Sequence, residues 1–194
     1  MLLVAGALAW VLLLRAPGPG EVSSSGLDAA SAAGCSALER PVLADPSRDH
    51  LSPGEPFIYE DRPAAAGPHD PMPLPPDPHV YETPVSETRA VHNLEHAYVV
   101  LWYLPSSEGG PAADAIARLE ALARDESRVI MAPDPDLPEG IGFALLAWNT
   151  RWTCPGTVSA DQAVAIASAF IDAYRGTTNA PEAPRGLLGP LYMK

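Results

Sequence analysis

Proline density sets the first limit on what this chain can fold into. Twelve of its 23 prolines fall between Pro41 and Pro84, with "GPHDPMPLPPDPHVYETP" at the heart of the run. Each proline fixes φ and removes a backbone donor, so neither a helix nor a sheet ladder can pass through such a stretch. The segment must lie as a long ordered loop, and the regular structure has to come from the chain beyond Pro84. A passive spacer would carry Ser, Gly and Glu, whereas this loop carries His50, His69, His79, Met72 and Tyr81.

The second half reads as alternating strands and helices. "AYVVLWYL" (97–104), "RVIMAP" (128–133) and "IGFALLAWN" (141–149) are short apolar runs without alternation, the pattern of strands buried on both faces. Between the first two, Ala112, Ala115, Ile116, Leu119, Leu122 and Ala123 recur at helical spacing, with Pro111 suited to a first turn. In "SADQAVAIASAFIDAYRG", Ser159 and Gln162 spell a capping box and Gly176 is a stop signal. The order strand, helix, strand, strand, helix predicts an α/β fold. It would be a single small domain, a three- to four-stranded mixed sheet covered by two helices, behind the proline-rich loop. A thioredoxin-like second half has the same order, a likeness of architecture only, since no redox cysteine pair is present.

At the amino end, Leu2–Leu14 are thirteen uncharged residues before Arg15. That is too short to cross a hydrocarbon layer of roughly 30 Å unaided, and it reads as a signal or signal-anchor segment over 1–15. A Gly/Pro/Ser/Ala stretch, 16–34, reads as a flexible linker because nothing in it offsets the entropy of ordering. The domain proper is expected over 35–184 and a terminal arm over 185–194. These readings place the protein outside the cytoplasm, anchored or secreted, with membrane contact only through the amino-terminal segment. Cys35 and Cys154, an even pair without C-x-x-C spacing, are then a disulfide candidate. The net charge of −12, with its twelve cations scattered, argues against a nucleic-acid or anionic-lipid surface.

The chemistry concentrates in "AVHNLEHAYVV". His92 and His96 project together whether the backbone is helical (i, i+4) or extended (an even spacing). Two imidazoles on one face are half of a transition-metal site. His69, held between prolines in "GPHDPMP", is the expected third ligand, with His50 or Met72 as the fourth. A His and Met set suits copper, three histidines alone suit zinc equally well. Glu95, Asp70 and Tyr81 are expected to orient the ligands, and His79 to be an ordinary hydrogen-bonding histidine. His92 to His96 also spell H-x-x-E-H, a zinc-hydrolase motif in which Glu95 would activate water. That chemistry needs a stable helix, and here a β-branched, aromatic run begins at once, leaving room for about two turns. No catalytic residue is assigned. The alternatives are a metal-free structural or partner-binding module, in which the histidines hydrogen-bond the loop to the sheet, and a zinc hydrolase using Glu95.

"GPHDP" followed by Tyr81, then "VHNLEH" with its aromatic strand, Ala147-Trp148 and Pro181-Glu182 resemble the bacterial family catalogued as domain of unknown function 3105. His50 also falls where that family carries a histidine. The likeness runs from about Cys35 to Pro184. It implies an exported or membrane-tethered protein with no established reaction, and it strengthens the histidines as a group. The family pattern has glycine where Ala97 stands and a Pro-Pro pair where this chain reads Ala64, Ala65 and Ala66.

Overall fold

The computed structural model describes residues 17–183, so the leader expected over 1–15 and the arm over 185–194 lie outside the described residues. Four strands, β1 (Val99–Tyr103), β2 (Val129–Pro133), β3 (Phe143–Ala147) and β4 (Thr150–Cys154), pair in the order β2-β1-β3-β4. β1 and β2 run parallel with Val99 opposite Val129, while the β1–β3 and β3–β4 pairs are antiparallel. Every residue of β1, β2 and β3 is buried, the physical reason for their unbroken apolar runs. β4 carries Thr150, Arg151, Trp152 and Thr153, a stretch for which the sequence predicts no strand. A two-residue connection turns the chain into it, with Asn149 at φ 53°, a left-handed value asparagine tolerates.

The α/β expectation holds, with four α-helices among the described residues where two were expected to cover the sheet: α1 (Ser24–Ala33), α2 (Glu87–Glu95), α3 (Ala113–Asp125) and α4 (Ala160–Tyr174). Alternate strand residues divide the core into two. Val99, Leu101, Tyr103, Met131, Phe143 and Leu145 face α1, α3 and α4. Val100, Trp102, Ile130, Ala132, Ala144 and Leu146 face α2 and the loop residues Tyr59, Ala64–Ala66 and Leu74. On the helical side Leu119, Ile166 and Phe170 are fully buried, each contributing about 1.5–3 kcal/mol over exposure. The expected capping box is present: Ser159 Oγ accepts from the Gln162 amide at 3.3 Å and Gln162 Oε1 from the Ser159 amide at 3.1 Å.

The segment 16–34 departs from the flexible linker expected of its composition, since most of it is α1. Ser23 Oγ accepts from the Gly26 amide at 3.2 Å to start the helix, and Gly34, at φ 74°, ends it. A Cβ at Gly26 would lie 2.3 Å from that of Ala169, so the glycine is what lets α1 close on α4. Close backbone packing uses small residues, so a helix can be ordered here without large apolar side chains. Directly after α1, Cys35 is bonded to Cys154 at the end of β4, the pairing expected from the sequence.

Residues 35–86 contain no helix and no strand, only isolated bridges. Side chains hold this segment in place of a ladder. Arg151, on β4 and nearly buried, pairs with Glu39 at 2.7 Å and Asp61 at 2.8 Å. Asn149 Oδ1 accepts from the amides of Val42 and Leu43. On α2, Asn93 clamps Leu74 through both its amide and its carbonyl, and Arg89 donates to the carbonyls of Met72 and Pro73. Glu87, in the first turn of α2, accepts from Arg62 and from the Ala64 amide, a donor that a proline at 64 would lack. The bonds from Asn149, Asn93, Arg89 and Glu87 supply partners to loop backbone groups that no strand serves.

A histidine cluster between the loop and α2

Two backbone bonds fix the loop's contribution. The His69 amide donates to the Asp49 carbonyl at 3.0 Å, and the Leu51 amide donates to the His69 carbonyl at 2.8 Å. They set His50 beside His69, with ring centroids 5.0 Å apart. α2 supplies the other wall. Ser86 caps its first turn, and seven of its nine residues are buried, His92 among them.

Three histidines converge: ligand nitrogens of His50, His69 and His92 all lie within 4.8 Å of one another, close enough to hold a metal ion. His69 and His92 are buried and His50 is exposed, so the cluster has one open side. The His92 ring lies between those of His50 and His96, nearly parallel to both, at 5.3 and 4.9 Å. Trp148 meets His69 at its edge, 6.1 Å away, and walls that side.

Backbone carbonyls decide which nitrogen faces the cluster. His69 Nδ1 lies 2.9 Å from the Gly67 carbonyl and His92 Nδ1 lies 2.7 Å from the Asp70 carbonyl. A carbonyl only accepts, so in the neutral form of both rings the proton sits on Nδ1 and Nε2 carries the lone pair. This is the arrangement that orients a metal-ligating imidazole. It also makes His96, whose Nε2 lies 2.9 Å from His92 Nε2, the donor between those two rings. Burial holds the His92 pKa below its ordinary value, opposed by the Asp70 carbonyl and reinforced by the neighbouring histidines. Gly67 has φ 126°, and a Cβ there would press on the Tyr59 ring at 3.3 Å, so the carbonyl that steers His69 depends on a glycine.

Glu95 closes the inner side. Its carboxylate is buried, with Oε1 accepting from Arg48 Nε at 2.6 Å and Oε2 lying 3.1 Å from His69 Nε2. That second approach is close but misaligned, and His69 Nε2 has no hydrogen-bond partner among the described residues. A lone pair and a carboxylate oxygen therefore face each other in a buried space. Two ligands each at roughly 2.1 Å from one cation, at an angle near a right angle, would stand about 3 Å apart.

The sequence ranking and the observed grouping differ. His92 and His96 were expected to lead, but the converging trio brings in His50, and His96 touches the group through His92 with its side chain 38% exposed. Met72 is 60% exposed, and its described hydrogen bonds are through its backbone. Asp70, expected to orient a ligand, meets His92 through its backbone carbonyl. Its carboxylate accepts from the Gly54 and Met72 amides, which hold its pKa below the usual range. Tyr81 points its hydroxyl at the Pro75 carbonyl, and His79 bonds the Ala123 carbonyl at the end of α3. Sequence reasoning missed Arg48 and Asn93. The only signal for Asn93 was a polar residue in a helix otherwise buried, and Arg48 had none beyond lying two residues from His50.

Neither a curated protein nor a solved structure matches the chain. A family model does: the one described as protein of unknown function (DUF3105) matches residues 50–186, the span that holds all four clustered histidines, and the chain belongs to that family.

Proposed function

We propose that this protein is an extracytoplasmic transition-metal-binding domain, with copper ahead of zinc, in which His50, His69 and His92 supply nitrogen ligands and His96 stands in reserve beside them. The observation that carries the reading is the pair of Nδ1 contacts to backbone carbonyls within a group whose ligand nitrogens lie within 4.8 Å of one another, an arrangement that leaves Nε2 of His69 and, once His96 turns away, Nε2 of His92 free to ligate. Imidazole sites bind divalent copper more tightly than zinc by the ordinary stability order. The disulfide supports an oxidising compartment, and the leader, outside the described residues, supports export. Among the described residues no helix is long and apolar enough to cross a membrane. A metal-free scaffold draws support from the His96-to-His92 bond, which satisfies one lone pair without an ion. The hydrolase reading draws less, because the Glu95 carboxylate already serves Arg48.

Elemental analysis of untagged protein, followed by competition titration with copper and zinc, separates these. We expect one equivalent bound, and a loss of at least a hundredfold in affinity for His69→Ala, beyond the ten- to hundredfold typical of orienting partners. Unchanged binding in that variant would end the reading. Because imidazole must be neutral to ligate, occupancy falls as pH drops below about 6. The sign for folding has the same direction: with the His92 pKa depressed in the folded state, its contribution is present above the unfolded value of about 6.5 and lost as pH falls through the folded one.

A further inference from the structure

The metal site has a cation built into it. Arg48 Nε binds Glu95 Oε1 at 2.6 Å and its Nη2 binds Glu182 Oε1 at 3.2 Å. Glu95 is buried while Arg48 is half exposed. Arg48 also precedes His50 by two residues, on the segment that the Asp49 and Leu51 backbone bonds pin to His69. The backbone bridge thus fixes the Cα of Arg48 near the ligands, and Glu95 and Glu182 hold its guanidinium there.

The carboxylate that faces the ligands most closely is already paired. A ligating imidazole carries no charge, and Glu95, buried and 3.1 Å from His69 Nε2, is held by Arg48. Of the other nearby carboxylates, Asp70 is turned to the Gly54 and Met72 amides, and Glu182, 46% exposed, shares Arg48 and lies 3.7 Å from His96 Nε2. An entering ion therefore meets, at the inner wall, a carboxylate already occupied by a positive group. A free carboxylate in that place would favour a divalent ion over a monovalent one. Repulsion between Arg48 and the ion scales with the ion's charge, so it acts twice as strongly on a divalent ion as on a monovalent one.

We propose that Arg48, through its pair with Glu95, makes the histidine site discriminate by ionic charge, favouring a monovalent soft ion, cuprous copper in chemical class, over divalent ions such as zinc. This rests on the metal-binding reading and adds to it a selectivity residue that touches no ligand position itself. Neutralising Arg48 releases Glu95 toward His69 Nε2, and the gain in binding follows the charge of the ion. In logarithmic terms the gain for a divalent ion is twice that for a monovalent one.

The test uses the untagged full chain, with Cu⁺ under anaerobic reducing conditions and Zn²⁺ separately, each measured by competition against a chromogenic chelator at fixed pH and ionic strength. Arg48→Gln is expected to tighten Zn²⁺ about tenfold and Cu⁺ about threefold, the square-root relation, after screening at a half-exposed guanidinium. Arg48→Lys, which keeps the charge, should stay near the parent for both ions. Glu95→Gln removes the carboxylate that faces His69 and leaves Arg48 to Glu182 alone, so it should reverse the sign, weakening Zn²⁺ about tenfold and Cu⁺ about threefold. It keeps the proposal testable if the first variant folds poorly. Equal changes for the two ions, or none, would overturn the selectivity role while leaving the histidine site intact. A parent protein that holds neither ion would overturn both.

Discussion

The two faces of the sheet are built by different physics. One is covered by α1, α3 and α4 and held by apolar area: Leu119, Ile166, Phe170 and Trp152 pack against alternate strand residues with almost no polar group among them. The other is covered by α2 and a proline-rich loop, and its buried set includes His69, Asp70, His92, Asn93 and Glu95. A hydrophobic face tolerates any filling of the right volume, whereas a polar face must satisfy each group individually. The cluster sits on the face where position is set bond by bond, and that precision is what a metal site requires.

The contrast can be broken in order of effect. Phe170→Ala, on the helical face, should cost about 3–5 kcal/mol of stability, read by denaturant unfolding, while leaving metal affinity per folded molecule unchanged. A fall in affinity would mean the faces are not separable. Removing the Cys35–Cys154 bond by paired serine substitution releases α1 from β4 and should cost about 2–4 kcal/mol, again without changing the metal titration. On the loop face the balance inverts. Gly67→Ala should cost only about 1–3 kcal/mol from its strained backbone yet weaken metal binding about tenfold or more by turning the carbonyl that orients His69. A variant that melts early but binds normally would show that the carbonyl does not steer the ring.

The smallest effect sharpens the point where the faces join. Ala97, between α2 and β1, has φ 65° and is buried, with its carbonyl accepting from the Gly176 amide. Glycine, which the family pattern carries there, adopts that conformation without the Cβ penalty. Ala97→Gly should therefore raise stability by about 0.5–1 kcal/mol, seen as a small upward shift in melting temperature. A loss would mean the methyl group packs more favourably than the backbone is strained.

Legibility in the sequence divides along the same line. The helical face was readable because apolar area writes itself as periodicity: α3, α4 and its capping box, and three of the four strands fall where the spacing puts them. β4 was hidden because it carries Thr, Arg and Thr beside its tryptophan, a composition that fits a strand only once Arg151 is seen to anchor the loop. α1 was hidden because its packing uses glycine and alanine, which a count of large residues ignores. In the cluster, residue type and spacing pointed to His69, His92 and the loop, but not to which nitrogen faces inward. That choice is made by the Gly67 and Asp70 carbonyls, and a carbonyl leaves no mark on a sequence. The same holds for Arg48, whose importance arises from where the chain returns and not from any pattern around it.

The central claim is that His69 and His92 present unprotonated Nε2 atoms to one ion. Two-bond proton–nitrogen correlation spectra of the imidazoles, recorded on metal-free protein near pH 7.5 and again with one equivalent of a diamagnetic ion, Cu⁺ or Zn²⁺, test it most directly. Nδ1–H tautomers are expected for both rings before addition, and after it a shift of the Nε2 resonances of His69 and His92 together with one ring nitrogen of His50. Nε2–H tautomers in the free protein, or spectra that do not respond to the ion, would contradict it.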